Sequence, residues 1–486
     1  MNRGIWIAAA ALLPLAAAHP QPPAEPLQQR VEAILKAAGQ GPRWGLVVAD
    51  ETGREIVAIN PDQRFIPGSN TKMFTTAAAF LTLDGLDQPD ATGGAAVRLE
   101  TYRKGPPDVV LEGHGDARLS SAPDCATDCL ATLADAVAAK TKRVHDVIGD
   151  DSLYPFEGWP QGMSWNNIPT RSGTNISALT LDDNEVPMTV TPAALGTAPA
   201  LDLPPYYTVD NRAVTVPGDK VDLIYDRAPN AYQVRLLGTI GAAARPELFR
   251  MGIDDPARYA AWRLKALLEA RGVKVTGSID VRHRLPDWSD DGAHRNGAPP
   301  ARAPQQPALA QLTPPPLYAD MIRTNKISQN LHAELFLRRV SYKAGSGSAA
   351  DGLAAMRAML DKAGVPRADY DFADGSGMSS YDRVAPRGAV IFLRWVAAQP
   401  WRAQWRATLP VGGEPSTLGR RFRGTPLEGK LFAKTGTLNQ SNALSGYMIA
   451  KSGKTLIFSS FANDVPEDVH ATRAIDAALN LIAAEN

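Results

Sequence analysis

Apolar residues recur at helical spacing over residues 27–38, where Val31, Ile34 and Leu35 share one side, and short strand-like segments follow. Residues 44–50 and 55–60 read as strands joined at Glu51-Thr52-Gly53-Arg54. After Pro67-Gly68, the apolar positions Met73, Phe74, Ala77, Phe80 and Leu81 predict a helix that opens at Ser69. Past Gly85 the texture changes to short strand-like runs at 97–102 and 109–112, a helix over 130–139, and a stretch at 158–173 rich in Trp, Pro, Gly and Asn. Further short strands are predicted at 188–191, 206–209, 213–216 and 232–237, and a helix over 256–271 and a strand over 273–281 close this middle section. Residues 287–316, rich in Pro, Ala and Asp with little periodicity, suit a linker. Leu331, Leu335, Phe336 and Val340 then give a helix one buried face, and 353–363 reads as another helix. Strands at 431–434, 443–450 and 455–461 and an amphipathic helix over 469–484 end the chain. The simplest topology is one α/β catalytic domain built from both chain ends, 19–90 and 317–486, with 91–286 inserted as two nested smaller domains and 287–316 as the return linker.

With 486 residues, 44% hydrophobic and 21% charged, the chain is long enough for two or three domains with a sizeable core. Fifty-one basic residues balance fifty-one acidic ones without a long basic run, which argues against nucleic acid or anionic lipid as partner. At the N-terminus, Arg3 precedes an apolar stretch from Ile5 to Ala18 broken only by Pro14, with small residues at its end. That is the pattern of a cleavable signal over 1–18, and the stretch is shorter than the roughly 20 residues a spanning helix needs. An exported protein with no stable membrane span is the expectation, periplasmic if the cell has an outer membrane. Cys125 and Cys129, the only cysteines, could close a small loop in an oxidising compartment, a reading favoured slightly over two free thiols. Seven scattered histidines without a paired pattern give no metal site, and no cofactor is called for.

Ser69-Asn70-Thr71-Lys72 places a hydroxyl and an amine in one helical turn, the arrangement of a serine acyltransferase with a lysine base. Two more short motifs follow in order, Ser328-Gln329-Asn330 between helical segments and Lys434-Thr435-Gly436 on a strand. Read singly, Ser69 is a helix cap, Asn330 a turn residue and Lys434 an exposed strand lysine. Together they match the signature of penicillin-recognising serine enzymes.

The resemblance extends to Asp374-Gly375-Ser376-Gly377-Met378-Ser379, Leu409-Pro410-Val411-Gly412-Gly413 and Ala443-Leu444-Ser445-Gly446-Tyr447, and in the insertion to Gly113-His114-Gly115-Asp116 and Gly149-Asp150-Asp151-Ser152. With Ser328 lying 259 positions after Ser69, the chain resembles the class C low-molecular-mass penicillin-binding proteins, the D-alanyl-D-alanine carboxypeptidase/endopeptidase family, across nearly all of its mature length. This resemblance implies an α/β (α+β) fold, a DD-peptidase/β-lactamase-like domain with an antiparallel sheet flanked by helices, plus inserted β-rich domains between the first two motifs. It implies hydrolysis of peptidoglycan stem peptides through an acyl-enzyme, with β-lactams as covalent inhibitors. Ser69 would be the nucleophile and Lys72 its base, kept partly neutral by burial and by Lys434. Ser328 would relay a proton to the leaving amine, and Asn330 would serve Lys72 and the substrate amide. Lys434 and Thr435 would hold the terminal carboxylate, Gly436 would let substrate backbone lie along the strand, and the backbone N–H groups of Ser69 and Thr437 would form the oxyanion hole. Asp374 to Gly377 is either a plain turn or part of the site's lining.

Other features read as structural. His332 is a core histidine or a supporting one near the site, since the chain has no GxSxG elbow. Residues 424–430 fit GxxxxGK, but Leu431 stands where a metal-binding hydroxyl belongs and Pro426 sits inside the loop. Trp159 and Trp165 fit a loop anchored by aromatics better than a glycan-stacking patch. Two rival functions are a β-lactamase or esterase of the same superfamily, separable by fast nitrocefin turnover, and a noncatalytic wall-binding protein, separable by wall binding without acylation.

Overall fold

A computed structural model describes residues 25–101, 105–299 and 306–486. The expected signal at 1–18, Tyr102 and part of the expected linker lie outside the described residues.

Strand Arg43–Asp50 explains why a sheet forms at this point. Its Leu46 and Val48 enter one apolar cluster while Val47 and Ala49 enter another, so a continuous apolar run is buried on both faces. It pairs antiparallel with Glu55–Ile59 on one side and Thr455–Asn463 on the other, and the sheet continues through Ser441–Ile449 to Leu431–Leu438 at the edge. Helices Leu27–Ala37 and Ala471–Glu485 supply Val31, Leu35, Leu479 and Ile482 to one cluster. Thr71–Thr82 and Pro386–Ala397 supply the other, with the rings of Phe74 and Phe392 centred 4.3 Å apart and Trp405 fully buried beside them. An antiparallel sheet flanked by helices is the α/β arrangement expected from the sequence.

The middle of the chain has its own core. A five-stranded sheet runs in the order Ile279–Arg284, Val147–Pro155, Asp108–Glu112, Ala96–Glu100, Ala310–Gln311. Helices Leu130–Lys140 and Pro256–Ala270 join this core through Leu133, Val137, Leu264 and Leu268. Smaller sheets built on Glu185–Thr191 and Gln233–Gly241 share the same cluster.

Several elements depart from the sequence expectation. The strand expected over 273–281 is two pieces, Lys274–Val275 against Arg143–Val144 and Ile279–Arg284 against Val147–Pro155. Strands Val147–Pro155, Val221–Asp226 and Glu247–Gly252 and helices Pro386–Ala397 and Arg402–Thr408 were not expected. The return segment is fastened at both ends, Asp290 by the Arg284 guanidinium at 2.7 Å and Ala310–Gln311 by pairing with Ala96 and Val97. Cys125 and Cys129 are joined by a disulfide with their Cα atoms 5.8 Å apart.

Candidate active site

Ser69 stands in a single 3-10 turn, Gly68–Asn70, that leads directly into helix Thr71–Thr82, at the helix start as expected. Two glycines let this turn press against edge strand Leu431–Leu438. Gly68 has φ +50°, and a Cβ on it would come within 2.9 Å of the Thr437 nitrogen; a Cβ on Gly436 would meet the Pro67 carbonyl at 2.2 Å. Gly436, expected to make room for substrate, is thus also required by the packing of the nucleophile's own turn. The Asn70 amide donates to the Lys434 carbonyl at 2.8 Å and fastens turn to strand.

Lys72, in the helix's first turn, is fully buried. Its ammonium donates to Ser69 Oγ at 2.8 Å, Asn330 Oδ1 at 2.6 Å and the Ser376 carbonyl at 2.6 Å. Ser328 connects helices Leu317–Lys326 and Asn330–Ala344 with φ +64°, a left-handed conformation uncommon outside glycine. That kink presents Ser328 Oγ to the Lys434 ammonium at 2.9 Å. Asn330 opens the second helix, one end of its amide on Lys72 and the other donating to the Ser172 carbonyl at 3.0 Å. Gln329 accepts from the Leu331 N–H at 3.1 Å and so caps the helix. The structure therefore brings Ser69, Lys72, Asn330, Ser328 and Lys434 together, with Thr435, Gly436 and Thr437 next along the strand.

The edge itself is open at this end. Pro410 and Gly412 cover its start, Ala433 N–H donating to Pro410 and Gly412 N–H to Leu431. Odd-numbered residues thus face outward there, and the two-residue alternation carries the backbone groups of Thr435 and Thr437 to the same outer edge. The Thr435 hydroxyl donates to Thr417 Oγ1 at 2.9 Å.

Burial sets the electrostatics. It pushes the Lys72 ammonium down to about 7, against Asp374, Glu334 and Asp382, whose charges favour its protonated form. Lys434 lies well below the usual lysine range because it is buried and because Lys72 is cationic. Burial and the Asp374 charge raise Glu334 to about 7 and hold Asp382 well above the carboxylate range.

Some residues around the site carried little sequence signal. Asp374 to Gly377 lines it: the Ser376 carbonyl accepts from Lys72, Asp374 holds the Gly377 and Ser379 N–H groups at 2.7 Å each, and a Cβ on Gly377 would lie 1.9 Å from the Gly68 carbonyl. Ser172 comes from the inserted region, and the turn-rich 158–173 stretch was the one hint of it. His332 is buried, with Nε2 on Asp183 at 2.8 Å, in the supporting position expected. Trp159 anchors its loop through the Gly173 carbonyl at 2.8 Å, whereas Trp165 is exposed. Far along the chain, Asp108, His145 and Asp146 group their ligand atoms within 4.8 Å, but Asp108 Oδ1 there already accepts the Asp146 N–H at 3.0 Å.

The model of the D-Ala-D-Ala carboxypeptidase 3 (S13) family matches residues 27–486. The chain belongs to this family. The D-alanyl-D-alanine carboxypeptidase of Actinomadura sp. (strain R39) is 32% identical to it over 461 residues, covering 90% of this chain and 81% of the relative. The crystal structure of penicillin binding protein 4 (dacB) from Haemophilus influenzae superposes with a TM-score of 0.74 at 20% identity, covering 90% of this chain and 93% of that one. The same protein complexed with a β-lactam superposes with a TM-score of 0.67 at 19% identity, with the same coverage. These likenesses show the fold of this S13-family chain.

Proposed function

We propose that this S13-family chain is a serine DD-peptidase that cleaves after D-alanine in peptidoglycan stem peptides and is acylated by β-lactams. The observation that carries this reading is the set of partners around Lys72. Asn330 Oδ1 and the Ser376 carbonyl only accept, so a neutral Lys72 amine gives its two N–H bonds to them and keeps its lone pair for the Ser69 hydroxyl. A side chain pushed down to about 7 is neutral often enough at neutral pH to do this.

As Ser69 Oγ attacks the D-alanine carbonyl, its proton passes to Lys72. The oxyanion is held by the backbone N–H groups of Ser69 and Thr437, which the close approach of Gly68 to Thr437 supports. The C–N bond then breaks, and Ser328, bonded to Lys434, relays a proton to the leaving amine. Lys434 and Thr435 hold the terminal carboxylate, whose charge favours the cationic form of Lys434. Water then attacks the acyl-enzyme and releases the acid. No metal or cofactor enters any of these steps. The division into a catalytic part, 19–90 and 317–486, and an inserted part is supported by their separate apolar clusters. Export is supported by the N-terminal pattern, and among the described residues no helix is long and apolar enough to cross a membrane.

A fluorescent penicillin should label the protein covalently, and Ser69→Ala should abolish the label while leaving the melting temperature close to wild type. Undiminished labelling of Ser69→Ala, or none of the wild-type protein, sinks the reading.

A further inference from the structure

A cavity of about 360 Å³ lies in the catalytic part and takes no share in the chemistry above. Within strand Ser441–Ile449, Ser445 pairs with Lys434, whereas Tyr447 pairs with Phe432 and lines the cavity with Thr455 and Ile457 of the next strand. Buried Trp405 packs edge-on against Tyr447, with ring centres 6.4 Å apart, and donates to Thr76 Oγ1 at 3.1 Å. Packed core thus separates the cavity from the helix of Lys72.

Three guanidinium groups line this space, those of Arg394, Arg402 and Arg406, and each is placed by a neutral partner. Arg394 donates to the Thr52 carbonyl at 2.7 Å and lies against Gly53, where φ is +94° and a Cβ would come within 2.4 Å of the guanidinium carbon. Arg402 donates to the Gln399 carbonyl at 3.3 Å, and Arg406 stands over the Phe432 ring, 4.9 Å from its centre. None of the three has an ion pair among the described residues. Glu51 is the one carboxylate in the lining, so its charge offsets a single guanidinium and leaves two in excess. Burial keeps the Tyr447 phenol neutral, against the pull of the Arg406 charge, and its hydroxyl is spent on the Leu393 carbonyl at 2.8 Å. Ala397, Ala398 and Ala403 add an apolar wall.

From this geometry we infer that the cavity binds the phosphate group of an organic ester, with the arginines on the phosphate oxygens and the apolar body of the ester on the alanines. A phosphate monoester carries a charge of about −1.5 to −2 at neutral pH and three strong acceptor oxygens, which matches two excess positive charges. Planar guanidinium forks suit those oxygens. A bare inorganic anion would leave the apolar wall uncovered, so the ester is the better fit. The site stands apart from the DD-peptidase reading and does not depend on it.

The test is calorimetric titration of the full-length protein with phenyl phosphate and with inorganic phosphate, repeated on Arg402→Gln and Arg406→Gln. Both of these arginines are exposed, so the variants should melt close to wild type. Phenyl phosphate should bind the wild type at one site and more tightly than inorganic phosphate, and each variant should weaken it roughly tenfold, as expected for loss of one hydrogen bond to a charged group. No binding of phenyl phosphate, equal affinity for the two phosphates (an adventitious ion only), or undiminished binding in both variants overturns the site. Vesicles of phosphatidylglycerol identify the source of the phosphate. Retention that is lost in both variants assigns a lipid headgroup; no retention, with phenyl phosphate still bound, assigns a soluble ester. Penicillin labelling is a separate readout, so failure of this site and failure of the DD-peptidase reading are distinguishable.

Discussion

Lys72 makes the pH dependence of acylation predictable. With unprotonated Lys72 as the proposed base, penicillin acylation should rise with pH through about 7 and level above it, as burial dictates. Stopped-flow acylation rates between pH 5 and 9 check this, and a rate that falls across that window contradicts the base role. Gly436→Ala drives a methyl group to 2.2 Å from the Pro67 carbonyl, which must move the turn that carries Ser69. Overpacking of this kind costs about 1–3 kcal/mol, so the variant should melt earlier and acylate at least tenfold more slowly. The residues in this constellation were legible because hydroxyl, amine and amide side chains leave short patterns. The carbonyls of Ser376 and Ser172 were not, since any residue supplies a carbonyl and only the folded backbone aims it.

Helix Asn330–Ala344 carries Asn330 at its start and Glu334 one turn later, where Glu334 accepts the Gly375 N–H at 3.0 Å. The Glu334 charge favours protonated Lys72, so Glu334→Gln should move the acid limb of the acylation profile to lower pH without removing the Gly375 bond. A limb that moves upward would mean that Glu334 acts through packing instead. The same scale explains which elements sequence reasoning caught. Helix 331–340 was read from a single apolar face, and the strand over Arg43–Asp50 from a short apolar run ending at the polar turn Glu51-Thr52-Gly53-Arg54. Strand Val147–Pro155 was missed because Asp150 and Asp151 interrupt its apolar run; both are buried, with Asp151 satisfied by Ser177 Oγ at 2.8 Å and His283 Nδ1 at 2.8 Å. Partners 26 and 132 positions away are invisible to a local pattern.

Across the whole molecule, charged side chains connect the insertion to the helices around the site. Arg118 meets Asp320 at 3.4 Å, Arg338 meets Glu157 at 3.2 Å, and Arg323 meets Asp183. Arg338 is almost fully buried, so Arg338→Ala leaves Glu157 without its ion-pair partner and should cost about 3 kcal/mol. Urea unfolding reads this loss, and a midpoint equal to wild type would show that the contact is idle. The separation of 259 positions from Ser69 to Ser328 made a long middle segment readable, but the reach of that segment back to Asn330 through Ser172 was not. The open edge of Leu431–Leu438 has a further consequence. An unpaired strand edge is a template for self-association, and proteins usually keep such edges short or covered. Here Pro410 and Gly412 cover its first half, and what stays open ends at Leu438, where the chain turns back into Ser441–Ile449. An opening of that length accepts a few residues of extended peptide and is too short to dock a second copy of the strand, so the protein can offer an edge to substrate without polymerising through it.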